Sequence, residues 1–205
     1  MVKSQSKRTG TQNMEEWMKP FENCTLCPRK CGVNRSTGKA GACHVDAQIG
    51  VARAALHFWE EPCISGEEGS GAVFFTGCSL GCVFCQNTEI SRGQAGENVS
   101  VEQLAEIFLR LQEQGANNIN LVTAGHYVPA VAESLRRAKD KGLQIPVVYN
   151  SSGYELPDTL RLMEDLVDIY LPDMKYMDGE LAGKYSHAQN YPDVAKAALE
   201  EMVRQ

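Results

Sequence analysis

From residue 72 onward the sequence repeats one alternation four times. Short apolar runs at residues 72–76, 119–123, 146–149 and 167–171 are each followed by a polar turn, and helical patterns separate them. Ser100 and Gln103 have the spacing of a capping box, which opens a helix. Leu104, Ile107, Phe108 and Leu111 then form one apolar face, and Gly115 ends it. Pro129 opens a second helix with Val131, Leu135 and Ala138 on one side and Gly142 as its stop. A short helix is expected over residues 157–166 and a last one over residues 194–204. Strands alternating with amphipathic helices predict an α/β fold, a parallel sheet with right-handed crossovers built from four βα units. In such sheets the reactive groups gather at the C-terminal ends of the strands.

Those ends are not neutral. Cys78, Cys82 and Cys85 follow the first strand at spacing C-x3-C-x2-C, and Thr123-Ala124-Gly125-His126 follow the second. Asn150-Ser151-Ser152-Gly153 follow the third, and Asp173 and Lys175 the fourth. A cubane iron–sulfur cluster has four iron corners, each normally held by a thiolate. Three close cysteines hold three corners and leave one iron open to a small molecule. The placement of polar or metal-binding residues after all four strands weighs more than any one motif.

Eight cysteines are many for 205 residues. Four of them, Cys24, Cys27, Cys31 and Cys43, make a second group at C-x2-C-x3-C-x11-C, with Gly32, Gly38 and Gly41 available for turns. Four thiolates suit tetrahedral zinc or a fully ligated iron–sulfur cluster, and residue types do not choose between them. His44 reads as a surface neighbour of this group, and Cys63 as a free buried thiol. Tight cysteine clusters without a secretion signal read as metal sites in a reducing, cytoplasmic compartment. The N-terminus has Lys3, Lys7 and Arg8 but no apolar core of a signal peptide. No apolar run reaches the length of a membrane span, and a net charge of −6 gives no support for a general nucleic-acid binder. The glycine-rich stretch Gly66, Gly69, Gly71 precedes a strand, the reverse of a dinucleotide loop. The expected organisation is a disordered tail at 1–20, most polar over residues 1 to about 13. A Cys-rich metal-binding region and linker follow at 21–62, with residues 49–58 extended, and then a catalytic core at 63–205.

The three-cysteine loop after the first strand of a βα repeat, with Phe84 before its last cysteine, resembles the radical S-adenosylmethionine (SAM) superfamily. Residues 78–87 with Glu89-Ile90-Ser91, Asn150-Ser151-Ser152-Gly153-Tyr154 and residues 168–175 are similar to proteins related to pyruvate formate-lyase activating enzyme. The Cys24-x2-Cys27-Pro28 pattern is similar to the same subgroup. The fold this implies is an open (β/α) barrel, here shortened from the usual six to about four βα units, with a small Cys-rich N-terminal region.

The resemblance implies a [4Fe–4S] cluster on Cys78, Cys82 and Cys85, with S-adenosylmethionine chelating the open iron. One electron, from a reductant such as flavodoxin or ferredoxin, would split the sulfonium and give a 5′-deoxyadenosyl radical that abstracts hydrogen from a substrate, here a protein. Phe84 would lie against the adenine. Asn150, Ser152 and Asp173 would line the cofactor site, and Lys175 would meet the methionine carboxylate. Gly125 would allow a close backbone approach, and His126 would stand where the family often has a glutamate for the methionine ammonium. Two other readings compete: a non-catalytic iron–sulfur carrier, which needs the cysteines but not the other strand-end residues, and a zinc-bound interaction module.

Overall fold

The computed structural model describes residues 16–205. The disorder expected over residues 1 to about 13 lies outside the described residues. The four apolar runs become parallel strands: β2 (Ser70–Phe75), β4 (Ile119–Val122), β5 (Val147–Ser151) and β6 (Ile169–Pro172). Two further strands extend the sheet, β1 (Ile49–His57) and the short β3 (Glu97–Val99). Among the described residues the sheet order is β3-β1-β2-β4-β5-β6. β1 runs antiparallel to both β2 and β3, so the sheet is mixed. Residues 49–58, expected as an extended linker, are therefore a paired strand.

Side-chain alternation divides the sheet into two faces. Val73, Phe75, Ile119, Leu121, Val147 and Tyr149 join the hydrophobic core. Against that face pack α1 (Val101–Glu113), α2 (Val128–Asp140) and α4 (Tyr191–Arg204). The Ser100/Gln103 capping box forms as the sequence predicts, and Leu104, Ile107, Phe108 and Leu111 are buried. Burying such side chains contributes roughly 1.5–3 kcal/mol each. The opposite face carries Phe74, Val122 and Asn150 and lines an open cleft. The sheet with helices on one face is thus a part-barrel whose inner side is the cleft.

Two elements differ from expectation. A helix α3 (Gly179–Ser186) precedes α4, which itself starts three residues earlier than expected, at Tyr191. Asp178 caps α3 by accepting from the Leu181 amide. The N-terminal segment does not form a body of its own. Phe21, Cys24, Leu26 and Ala47 belong to the same hydrophobic core as the sheet, and Trp17 and Met18 pack against it. The tail expected to reach residue 20 is therefore docked from at least Trp17 onward. Among the described residues no helix is long and apolar enough to cross a membrane.

Candidate functional site

The loop after β2 bends sharply. Gly77 has φ +89, and a Cβ there would meet the Cys43 carbonyl oxygen at 2.7 Å, so a side chain fits neither the conformation nor the space. The Cys78 amide donates to that same Cys43 carbonyl (3.2 Å), and the Val83 amide donates to the Tyr185 carbonyl (2.9 Å). The loop is thereby stitched to the N-terminal cysteine segment on one side and to α3 on the other. Arg29, between Cys27 and Cys31, completes the fixing. Its guanidinium donates to the carbonyls of Ser79 (2.9 Å) and Leu80 (2.9 Å) in the loop, and to those of Ser186 (2.6 Å) and His187 at the end of α3. It also stacks over the Tyr154 ring at 5.3 Å.

Cys78, Cys82 and Cys85 all line one cleft of about 580 Å³ at the C-terminal ends of β2, β4, β5 and β6. That size falls within the roughly 300–1,000 Å³ of small-molecule sites. Burial pushes the Cys78 thiol up, and the neighbouring Cys82 and Cys85 sulfurs add to the shift against the Gly81 and Leu80 amides. A set of three soft thiol donors on one wall, open toward polar groups opposite, fits a cubane with one corner free for a ligand. Among the described residues no three Cys, His, Asp or Glu side chains stand around a common point as an ion's shell.

Phe84, Asn150, Ser152, Asp173 and Lys175 line the same cleft. Phe84 is 54% exposed, with its ring edge-on to Tyr176 and Tyr185. Lys175 forms an ion pair with Asp173, and its amide donates to the Tyr191 hydroxyl (2.8 Å), which donates in turn to the Ser152 carbonyl (2.5 Å). Tyr191 thus ties the loop after β5 to the loop after β6. Thr123, also in the cleft, holds a left-handed backbone (φ 62), unusual for a β-branched residue. Its amide donates to the Asn150 carbonyl (2.9 Å), which fixes it there.

Gly125 and His126 do not line this cleft. The single turn Gly125–Tyr127 aims His126 into the core, where it is 1% exposed. Its Nε2 lies 2.7 Å from the Thr76 carbonyl, which can only accept, so Nε2 carries the proton. Burial, helped by the Arg35 charge, holds its pKa down to about 3, and the ring is a neutral structural group. Cys63, expected buried, is exposed on the turn Pro62–Ser65.

A Cβ at Gly125 would run into the Glu155 carboxylate. Glu155 is wholly buried; its Oε1 accepts from the Ser151 hydroxyl (2.8 Å), and Oε2 has no partner among the described residues. Burial raises its pKa from the ordinary 4.5 to about 7, with the Ser151 hydroxyl pulling against it. Between those values the unfolded chain binds fewer protons than the folded one, so stability falls as pH rises through that window. At 1.36 kcal/mol per pKa unit the loss is about 3 kcal/mol once the pH exceeds 7. Glu155→Gln is expected to flatten this slope and to raise the melting temperature at pH 8 but not at pH 4.5. Equal effects at both pH values would contradict it.

The sequence reading missed Glu60. It lines the cleft, and its Oε2 accepts from Asn120 Nδ2 (2.7 Å) and Asn150 Nδ2 (3.4 Å). It forms no ion pair among the described residues, so the cleft carries a carboxylate held by two amides and no cation. Its partners lie 60 and 90 residues away in sequence. The only local signal is the Trp59-Glu60-Glu61-Pro62 break after β1.

Comparison with known proteins agrees with this geometry. The chain is 31% identical over 183 residues to an uncharacterized protein of Methanocaldococcus jannaschii, MJ0674, a match covering 86% of this chain and 52% of that protein. The chain thus spans about half the length of the curated relative it matches. Residues 72–204, from the first parallel strand through α4, match the family model for the Radical SAM superfamily. With most of the chain so matched, and three thiols gathered on the cleft where that fold carries its chemistry, the protein belongs to the Radical SAM superfamily.

Proposed function

We propose that this chain is a radical SAM enzyme of the pyruvate formate-lyase activating enzyme-related subgroup, acting by hydrogen abstraction on a protein substrate, such as a glycyl radical enzyme. Membership in the superfamily implies a [4Fe–4S] cluster, S-adenosylmethionine and a reductant. The observation that carries the reading is the convergence of residues from all four parallel strand ends on one cleft. A simple iron–sulfur carrier has no use for Asn150, Ser152, Asp173 and Lys175 around its cysteines. Flavodoxin or ferredoxin as electron donor, and a cytoplasmic setting, are part of the same proposal.

Cys78, Cys82 and Cys85 would hold the cluster, and its chemistry when bound is one-electron reductive cleavage of the S-adenosylmethionine sulfonium. The chain's own residues bind and orient. The Lys175 ammonium, already poised by Asp173, donates to the methionine carboxylate. Glu60 is the acidic group that the stretch after β4 lacks, and its fixed carboxylate accepts from the methionine ammonium. Asn150 and Ser152 offer polar contacts to the ribose side, and Phe84 gives its exposed face to the adenine. Arg29 holds the loop in place without touching either ligand.

The test is anaerobic reconstitution with iron and sulfide, reduction, and addition of S-adenosylmethionine. A changed cluster EPR spectrum and release of 5′-deoxyadenosine are expected. In the same assay Glu60→Gln should weaken S-adenosylmethionine binding roughly tenfold, the loss of one charge-assisted hydrogen bond, with iron content unchanged. A cluster whose spectrum does not respond and which releases no nucleoside would leave the carrier reading instead.

A further inference from the structure

Arg35 is the largest fully buried side chain, 1% exposed. It lies between the rings of Phe21 (4.9 Å) and Tyr127 (5.5 Å). Its nitrogens donate to the carbonyls of Val45 (3.2 Å), Asp46 (2.6 Å) and His126 (2.7 Å). It makes no ion pair with any carboxylate among the described residues; Asp46 offers it only the main-chain carbonyl. Carbonyl dipoles satisfy the donors but do not neutralise the charge, and a buried cation without a counter-charge is costly. Guanidinium cannot escape by losing its proton. Sulfurs stand close beside it. Arg35 Nη1 lies 3.6 Å from Cys24 Sγ. Cys31 Sγ and Cys43 Sγ stand 3.3 and 3.6 Å from the point a Cβ at Gly41 would occupy, and the Arg35 Cδ is 3.4 Å from that same point. Cys24, Cys27 and Cys43 are all buried.

We propose that Cys24, Cys27, Cys31 and Cys43, which do not surround a single ion's position as they stand, draw together on a second metal centre of thiolates, zinc or an iron–sulfur cluster, whose negative charge is the counter-ion of the buried Arg35 guanidinium. Four thiolates on a divalent zinc ion, or on an oxidised [4Fe–4S]²⁺ core, leave a net charge of −2. Either centre supplies the missing charge where four neutral thiols do not. Gly41 then has a definite role, because a Cβ there would crowd the Cys31 sulfur at 3.3 Å and touch that of Cys43. This inference is independent of S-adenosylmethionine chemistry. The Cys43 carbonyl accepts from the Cys78 amide, so the second centre would directly support the loop of the first.

The test uses the full chain with Cys78, Cys82 and Cys85 all changed to alanine, purified anaerobically from cells supplied with iron and zinc. Retention of about one zinc per chain, or of about four irons with visible charge-transfer absorption, is expected, and the two results distinguish the kinds of centre. Adding Cys27→Ser should abolish either. Arg35→Leu should speed metal release to a chelator at least tenfold, Arg35→Lys should restore part of the difference, and Asp46→Asn should leave it unchanged. Should the alanine or leucine variants fail to fold, alkylation of the wild-type chain decides. Cys24, Cys27, Cys31 and Cys43 should react only after chelation. No retained metal, free alkylation of these four thiols in the wild type, or a folded Arg35→Leu protein with unchanged release would overturn the proposal.

Discussion

Replacing Cys82 with alanine is expected to remove the cluster of the loop at residues 78–85 and bring 5′-deoxyadenosine formation to background. Two thiolates hold only two corners of a cubane, too few to keep it against chelation or air. The substitution is a clean one. Cys82 is only partly buried, and the bonds that shape its loop run between main-chain groups, such as Val83 to the Tyr185 carbonyl and Cys85 to the Cys82 carbonyl (3.2 Å), or come from Arg29. None of them needs the thiol. The cluster-free variant should therefore melt within about 1 kcal/mol of the cluster-free parent. Iron should fall by one cluster per chain while metal at the N-terminal cysteines stays, which metal analysis reads directly. Loss of both metals together would show that the two cysteine groups serve one site.

The second large effect is expected at Arg29, which touches neither proposed metal. Alanine there deletes four charge-assisted hydrogen bonds to carbonyls of two segments and a cation–π contact with Tyr154. Single bonds of this kind contribute roughly 1.5–3 kcal/mol, but the group is partly exposed and the loops can relax toward water, so a net loss of about 2–4 kcal/mol is expected. For a chain of this size that lowers the melting temperature by roughly 5–15 °C. Amide exchange should quicken at residues 78–83 and 185–187, and the reconstituted cluster should bleach faster in air. Arg29→Lys should rescue little, since one ammonium cannot span four carbonyls in two loops. Unchanged exchange in the cysteine loop of Arg29→Ala would remove the clamp from the account.

What the sequence discloses follows from how local each interaction is. The four parallel strands were legible because their apolar runs are short, bounded by turns and separated by helices with one apolar face. β1 was not, because Val51-Ala-Arg-Ala-Ala-Leu-His57 is poor in β-branched residues and partly exposed; pairing with β2 and β3 makes it a strand. α3 was hidden by Gly179 and Gly183, unfavourable in helices, and owes its existence to the Asp178 cap and the burial of Ala182. The same division holds in the cleft. The three-cysteine loop and the Asp173/Lys175 pair follow strands directly and could be placed from sequence. Glu60 and Arg29 act through partners tens to more than a hundred residues away, so no spacing announces them. His126 shows the converse: position after a strand says which end of the sheet a residue occupies, not which way a short turn aims it.

The Arg29 clamp also fixes an order of events in time. Its acceptors Ser186 and His187 are 157 and 158 residues further along the chain than the guanidinium that binds them. As the polypeptide leaves the ribosome, the thiols at 78, 82 and 85 emerge about a hundred residues before the segment that locks their loop. Until α3 arrives, the loop lacks the ties to Tyr185, Ser186 and His187 and is held through Cys43, Arg29 and the nearby Thr88 and Ile90. A cluster delivered within that interval is expected to meet less obstruction than one delivered after the clamp has closed.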